Sequence, residues 1–210
     1  MAYFVPLAIL AIAVLAVWLI WRAVSRRRSL PCPSWLGWMV DNSLSGRRTS
    51  ATVALLELAP GLHVLDAGCG PGRLTIPIAE AVGPGGTVVA VDIQPEMLRR
   101  ARSKATQASV ANVQFLHAAL GEAQLPRSHF DRAVLVTVLG EIPDRLAALR
   151  EIRSALKPGG FLLVNEVMAD PHYQSIRTVA AFAEEAGFRA GAIYGNRFAF
   201  SIKLERPFGA

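Results

Sequence analysis

The strongest chemical signal in the sequence is a glycine-rich turn that follows an apolar run. Residues 64–72 are VLDAGCGPG, in which Asp66 ends the apolar run and glycines occupy positions 68, 70 and 72. Glycine has no Cβ, so its backbone can approach a ligand closely at the carboxyl edge of a sheet. A second apolar run ends at Asp92, 20 residues after Gly72, where a carboxylate can accept hydrogen bonds from both hydroxyls of a ribose. The pattern predicts a site for a nucleotide-type cofactor.

The spacing of the glycines narrows the choice of cofactor. A dinucleotide-binding turn has the pattern G-x-G-x-x-G, whereas this chain has G-x-G-x-G. The segment resembles motif I of the class I methyltransferases that use S-adenosyl-L-methionine. The resemblance covers most of residues 45–205 and includes GTVVAVDIQPEMLRRA, SHFDRAVLVTVLGEIPD and EIRSALKPGGFLLVNE. Within that class the chain is similar to the ubiquinone/menaquinone C-methyltransferases and the small-molecule and lipid methyltransferases.

The resemblance implies which residues contact the cofactor. Asp66 and the glycine turn would face its methionine part, Asp92 would hold the ribose, and Ile93 would pack against the adenine. The full set of implied cofactor contacts is Asp66, Gly68, Cys69, Gly70, Asp92, Ile93, Ala119, Leu120 and Thr137.

One position departs from the family pattern. The family usually has an acid after the third strand that accepts a hydrogen bond from the adenine amino group, but this chain has Ala119 there. The backbone of Ala119 and Leu120, or the side chain of Glu122, could take over the contact, and the sequence does not choose between them.

Methyl transfer from a sulfonium needs alignment and a water-poor pocket, and an amine or hydroxyl acceptor must also lose a proton. The carboxyl edge of the sheet supplies candidate bases: Glu141 in LGEIPD, Glu166 after the fifth strand, and His172 and Tyr173 in the loop ADPHY, together with Asp170. The alternative is that these groups only cap helices and brace loops. No histidine or cysteine has metal-ligand spacing, so no metal is expected.

Apolar strands alternate with amphipathic helices, which predicts an α/β fold with a doubly wound, mostly parallel sheet. The family resemblance implies seven strands in the order 3-2-1-4-5-7-6, with the last strand antiparallel. The predicted strands are 63–66, 87–92, 113–117, 132–138, 161–166, 190–194 and 198–204. Residues 195–196 are the predicted hairpin connection. The predicted helices are 49–58, 74–82, 95–108, 144–156 and 174–186.

The net charge of +6 is concentrated near the N-terminus. Residues 1–21 carry no charged side chain, residues 22–50 carry six arginines and one acid, and the remainder is close to neutral. Residues 4–21 form an unbroken apolar run that spans roughly 27 Å as a helix. Because arginines follow this run, the positive-inside rule predicts a single-pass anchor with the following domain on the cytoplasmic side.

Three regions follow from this distribution: a transmembrane anchor (1–22), a basic segment containing Trp35 and Trp38 (23–48), and a methyltransferase domain (49–210). The segment 23–48 either lies at lipid headgroups or is a linker whose tryptophans pack on the domain. Cys32 and Cys69 suit a reducing cytoplasm without further chemistry.

Together these observations predict a membrane-anchored enzyme that methylates a hydrophobic or amphiphilic acceptor. The candidate acceptors are a phospholipid amine, a quinone precursor or another lipophilic small molecule. The alternative is a non-catalytic membrane protein that keeps the fold as a cofactor-binding or scaffolding module. The early third glycine and the terminal hairpin disfavour an NAD-dependent reductase, and a nearly neutral domain has little attraction for nucleic acid.

Overall fold

The computed structural model describes residues 4–28, 31–33 and 46–209. Trp35 and Trp38 lie outside these residues, and the division of the chain at 22 and 48 stays a prediction. The helices are α1 (Phe4–Arg28), α2 (Gly46–Leu55), α3 (Thr75–Val82), α4 (Pro95–Gln107), α5 (Arg145–Ala155) and α6 (Ile176–Glu185), with a 3₁₀ turn at Leu139–Glu141. The strands are β1 (His63–Ala67), β2 (Thr87–Asp92), β3 (Val113–His117), β4 (Phe130–Val136), β5 (Leu156–Val167), β6 (Arg189–Asn196) and β7 (Ala199–Glu205).

The seven strands form one sheet in the order β3-β2-β1-β4-β5-β7-β6, which confirms the predicted topology. Strands β3, β2, β1, β4 and β5 run parallel, while β7 pairs antiparallel with both β5 and β6. The carboxyl ends of β1, β2, β4 and β5 therefore meet at one edge of the sheet.

The sheet is buried on both faces because its central strands carry continuous apolar runs. On one face, Leu65 and Leu135 pack with Leu149 and Ile152 of α5. On the other face, Val64 and Val134 belong to a cluster with residues of α3. These two layers hold the strands rigidly and so fix the loops that leave their carboxyl ends.

Several predicted boundaries differ from the observed ones by a few residues, and two of the differences have local backbone reasons. Strand β4 ends at Val136, because Thr137 adopts a left-handed φ of +54° that a strand cannot continue. The hairpin turn is Arg197–Phe198 rather than residues 195–196. The Asn196 side chain accepts hydrogen bonds from the backbone N–H groups of Phe198 (2.9 Å) and Ala199 (3.3 Å), so the turn forms after the asparagine.

Helix α1 also differs from the prediction for residues 1–22. It does not end at Trp21 but continues through Arg28, and its side chains at Trp18 and Arg22 bind the loop that follows β5. Among the residues that the structure describes, no helix combines the length and the apolar content needed to cross a membrane. The predicted transmembrane helix is therefore not supported.

Candidate functional site

The glycine turn joins β1 to α3 and is held by the end of β2. The backbone N–H groups of Gly68 and Cys69 both donate to the carbonyl of Val91, at 2.8 and 2.9 Å. Gly68 and Gly70 have φ values of +73° and +53°, which residues with a Cβ rarely adopt. The turn is thus fixed at the carboxyl edge of the sheet, next to Asp92.

Asp92 links the turn to the next loop through both of its carboxylate oxygens. Oδ2 accepts the N–H of Gly70 at 2.9 Å and Oδ1 accepts the N–H of Gln94 at 2.8 Å. Burial raises the pKa of Asp92, and these two hydrogen bonds oppose that effect. Each carboxylate oxygen has a second lone pair, so Asp92 can also accept from ribose hydroxyls. Ile93 is more than half exposed beside it, as a contact for a planar base requires.

The space around the turn fits the predicted cofactor. A Cβ at Gly70 would meet no atom within 4 Å, whereas a Cβ at Gly68 would lie 2.5 Å from Val138. The open side of the turn is therefore at Gly70, above the ribose-binding acid. Cys69 does not line this space with its side chain, which packs with Ala90 and Leu98.

Asp66 lies below the turn and is almost fully buried. Its Oδ2 accepts the hydroxyl of Thr75 at 2.6 Å, and burial raises its pKa to about 6. The first turn of α3 thus holds the carboxyl group at the end of β1. The contact of Asp66 with the methionine part of the cofactor stays a prediction.

The adenine side of the site has no acid at the position where the family usually carries one. Ala119 and Leu120 follow β3 and are half-buried, and Leu120 packs on the main core. Glu122 is exposed and its carboxylate accepts the side-chain amide of Gln124 at 3.1 Å. Backbone groups near Ala119 are therefore better placed than the Glu122 side chain to form a hydrogen bond with the adenine.

Thr137 occupies a strained position where the cofactor and acceptor sides meet. Its left-handed φ is uncommon for a β-branched residue, and such strain costs about 1–3 kcal/mol. The Thr137 N–H donates to the carbonyl of Asn165 at 2.9 Å, so β5 holds it in place. Strain of this kind concentrates at functional sites.

Two carboxyl groups lie at the predicted acceptor side, Glu166 buried and Glu141 partly buried. Glu141 ends the 3₁₀ turn after β4, and its Oε1 lies 3.6 Å from Nδ1 of His172. The same imidazole nitrogen lies 3.6 Å from Oδ1 of Asp170, which also accepts the His172 backbone N–H at 2.7 Å. Burial raises the pKa of Glu141 to about 7, although the nearby imidazole works in the opposite direction.

Glu166 lies near the end of β5 and has a relative exposure of 1%. Its Oε2 accepts the N–H of Gln174 at 3.1 Å, while Oε1 has no hydrogen-bond partner. Burial raises the pKa of Glu166 to about 8. Nε2 of His172 is also buried and unpartnered. Because buried polar atoms are normally hydrogen-bonded, these two atoms indicate where a ligand group belongs.

Tyr173 is placed differently from the other predicted acceptor residues. Its hydroxyl donates to the carbonyl of Arg197 at 2.6 Å, and its ring packs edge-on against Phe200. These contacts commit the side chain to bracing the β6–β7 hairpin.

A contact that the sequence did not predict closes the site from the N-terminal side. The Gln94 side-chain amide donates to the carbonyl of Cys32 at 2.9 Å, and the Cys32 N–H donates to the Glu141 carboxylate. Residues 31–33 therefore bridge the ribose-side loop and the acceptor-side carboxyl. Helix α1 contacts the 3₁₀ turn as well. No periodicity or motif marks Cys32 for this role.

Two cavities lie away from this arrangement. One of about 410 Å³ is lined by Arg145, Tyr173, Gln174, Ser175 and Thr178, behind the acceptor loop. Another of about 580 Å³ lies at the opposite edge of the sheet, near Thr87 and Asn112. Within the described parts of the chain, no group of three or more potential ligands could hold a metal ion.

A doubly wound sheet of order β3-β2-β1-β4-β5-β7-β6, with a glycine turn after β1 and a carboxylate at the end of β2, defines the class of nucleotide-cofactor domains. The chain belongs to the methyltransferase domain family, whose model matches residues 58–195. This confirms the predicted family, and S-adenosyl-L-methionine is the cofactor that goes with it.

Relatives with curated names support the same group. The demethylmenaquinone methyltransferase of Listeria monocytogenes is 37% identical over 111 residues, which are 53% of this chain and 47% of that protein. The ubiquinone/menaquinone biosynthesis C-methyltransferase UbiE of Shewanella frigidimarina is 36% identical over 129 residues, 61% of this chain and 51% of the relative. The chain thus spans about half the length of the curated relatives it matches.

A solved structure supports the fold. The SAM-dependent methyltransferase from Aquifex aeolicus superposes with a TM-score of 0.77 at 22% identity, covering 83% of this chain and 99% of that one.

Proposed function

We propose that this chain transfers a methyl group from S-adenosyl-L-methionine to a hydrophobic acceptor of the quinone-precursor class. The observation that carries the proposal is the pair Glu141 and Glu166, which lie after β4 and near the end of β5 at the carboxyl edge of the sheet, with an unpartnered oxygen on Glu166. The names of the relatives, which act on menaquinone and ubiquinone precursors, favour a quinone precursor over a phospholipid amine.

The bound cofactor supplies a methyl group on a sulfonium, which is electrophilic. The chain's own residues bind and orient: Asp92 accepts from the ribose, and the turn at Gly68–Gly70 lets the backbone approach the ligand. Residues 31–33, which bridge Gln94 and Glu141, exclude water from the acceptor together with the buried surroundings of Glu166.

The proposal gives the two carboxyl groups different protonation states near neutral pH. With a pKa of about 7, Glu141 is ionised in a large fraction of molecules and can accept the proton that the acceptor loses. With a pKa of about 8, Glu166 stays mostly protonated and can donate a hydrogen bond from Oε1 to an acceptor oxygen. In the balanced step, the acceptor atom would gain the methyl group as the methyl–sulfur bond breaks and leaves a neutral thioether, and the acceptor's proton would pass to Glu141.

The proposal includes attachment to a lipid surface, with the domain on the cytoplasmic side. Apolar side chains of α1 between Ile9 and Val24 are exposed, and a cluster of arginines follows them in the sequence. An apolar acceptor dissolves in lipid, so attachment would raise the local concentration of enzyme at its substrate.

The direct test uses the purified full chain with methyl-labelled cofactor and demethylmenaquinol in vesicles, with extraction of the lipid and mass spectrometry. A product one methyl heavier supports the proposal. Calorimetry with the cofactor distinguishes failure of the reaction from failure of cofactor binding. Binding without turnover would favour the non-catalytic cofactor-binding module that Ala119 suggests. Absence of binding would overturn the cofactor site itself.

A further inference from the structure

The turn of the β6–β7 hairpin presents an aromatic ring and a cation to solvent. Phe198 is 51% exposed, and the Arg197 guanidinium lies 4.8 Å from the centre of its ring. Ile193 and Tyr194, on opposite faces of the edge strand β6, are exposed as well. Aromatic rings and arginines are enriched where proteins meet their partners, so the paired Phe198 and Arg197 suit a contact surface.

The hairpin turn adjoins the point where α1 docks. The N–H of Met168 donates to the carbonyl of Phe198 at 2.7 Å, and the carbonyl of Met168 accepts from Arg22. The next carbonyl, of Ala169, accepts the indole N–H of Trp18 at 3.2 Å. Phe198 and the Trp18–Arg22 segment of α1 therefore lie against the same short loop.

The exposed side chains of α1 indicate what covers this region. Ile9, Ile12, Val14 and Val17 are all more than 60% exposed. At 100° per residue these positions point to different sides of the helix, as do the exposed Leu15 and Ile20. A protein groove covers one stripe of a helix, whereas a lipid surface can cover the several sides that α1 leaves exposed outside its contacts with the domain.

The residue types that lie against the Met168–Asp170 loop agree with a lipid partner. Aromatic rings and arginines are favoured at the boundary between hydrocarbon and headgroups. Trp18 and Arg22 of α1 contact this loop, and so does Phe198, whose ring pairs with Arg197.

We propose that the Arg197–Phe198 turn enters the surface of an anionic bilayer beside α1, with the Met168–Asp170 loop at headgroup level. The acceptor side, at Glu166 and His172, adjoins this loop and would open toward the lipid. The inference rests on the proposed attachment to a lipid surface and adds the orientation of the domain.

The test compares two exposed phenylalanines in the full chain. Phe208 is 83% exposed and lies against Gly159, at the amino end of the apolar part of β5 and far along the strand from Phe198. Cys32 is first replaced by serine so that it cannot be labelled. A cysteine is then introduced by Phe198→Cys or by Phe208→Cys, and an environment-sensitive fluorophore is attached to it. Cys69 stays unlabelled because it is buried and burial raises the pKa of its thiol. The chains are mixed with vesicles of phosphatidylcholine and phosphatidylglycerol.

The expected result is a blue-shifted emission, quenched by spin-labelled lipid, for the label at 198 and water-like emission at 208. Chains that float with vesicles but show water-like emission at both positions would overturn the orientation alone. Chains that do not float would overturn both the orientation and the attachment. Methyl transfer to a detergent-dispersed acceptor is measured separately, so loss of the proposed reaction is distinguishable from either outcome.

A second comparison uses Phe198→Ser and Phe208→Ser. The first is expected to raise the KM for a vesicle-borne acceptor about tenfold, because the free energy of burying one phenylalanine in lipid is lost. Its kcat, its KM for a detergent-dispersed acceptor and its melting temperature should match those of Phe208→Ser. Equal KM values for the vesicle-borne acceptor would contradict the proposal.

Discussion

The Gln94 side-chain amide donates to the carbonyl of Cys32 at 2.9 Å, although the two residues are 62 positions apart in the sequence. Gln94 follows Asp92 by two residues and its own N–H binds that carboxylate. On the other side, the N–H of Cys32 binds Glu141. A single residue of the N-terminal segment therefore connects the group that would hold the ribose to the group that would accept a proton.

Gln94→Ala removes the side-chain hydrogen bond to the Cys32 carbonyl and leaves the backbone N–H of residue 94 bound to Asp92. We expect the KM for the acceptor to rise several-fold and the free energy of unfolding to fall by about 1 kcal/mol, the usual contribution of one hydrogen bond. Steady-state kinetics and thermal melting measure the two effects. Gln107→Ala is the matched control, because Gln107 ends the helix that begins directly after Gln94 and its amide donates within that helix, to Ser103. If both variants behave alike, residues 31–33 have no part in closing the site.

Asp92→Asn tests the ribose-binding acid. The asparagine oxygen can still accept one backbone N–H, but its NH₂ group then faces the other donor, from Gly70 or Gln94. We expect the Kd for the cofactor to rise at least tenfold, since a charge-assisted acceptor is lost and a donor opposes a donor. Isothermal calorimetry measures the change. Asp144→Asn, which alters an exposed cap of α5 where asparagine serves equally well, should leave the Kd unchanged.

The elements that carry regular patterns were predictable from sequence. Strands β2 and β3 have the predicted bounds because their apolar runs end at clear breaks. The seventh strand's antiparallel place followed from family resemblance. Thr137 could not be predicted to leave β4, because VLVTV continues a strand pattern and only the φ of +54° ends it.

The contacts that close the site were not predictable, because they join residues that no repeat or motif relates. Cys32 seemed an ordinary cysteine, and its function in the fold comes from its backbone. Gly140 is inconspicuous in LGEIPD, yet it lies directly against the carbonyl of His172. The sequence indicated which carboxyl groups reach the sheet edge, while their burial and free lone pairs depend on packing between distant loops.

The pH dependence of methyl transfer tests the two carboxyl roles. With Glu141 acting as base, kcat/KM should rise as the pH increases through about 7; with Glu166 acting as a neutral donor, it should fall above about 8. Glu166→Gln imitates the protonated acid: its oxygen can accept from Gln174 and its NH₂ replaces the donor. We expect this variant to stay active and to lose the alkaline fall.

Glu141→Gln cannot accept the proton, so its rate should drop roughly 100- to 10,000-fold at every pH. Cofactor affinity, measured by calorimetry, should stay within about twofold of the parent, since Glu141 lies on the acceptor side. A bell-shaped profile that persists in Glu166→Gln would show that another group titrates, and the assignment of Glu166 would be wrong.

Gly140→Ala tests whether the close approach of the 3₁₀ turn to the acceptor loop sets the acceptor site. A Cβ at position 140 would collide with the backbone carbonyl of His172, and neither backbone can yield as a flexible side chain does. We expect the free energy of unfolding to fall by about 1–3 kcal/mol. We also expect loss of methyl transfer, because Glu141 and the His172 imidazole must move apart.

Gly85→Ala is the control, since a Cβ there would meet only the Gly61 Cα, at 4.0 Å. Cofactor binding by calorimetry should survive in both variants, because the glycine turn and Asp92 lie outside the contact. If Gly140→Ala retains full activity, the spacing between Glu141 and His172 does not control the reaction.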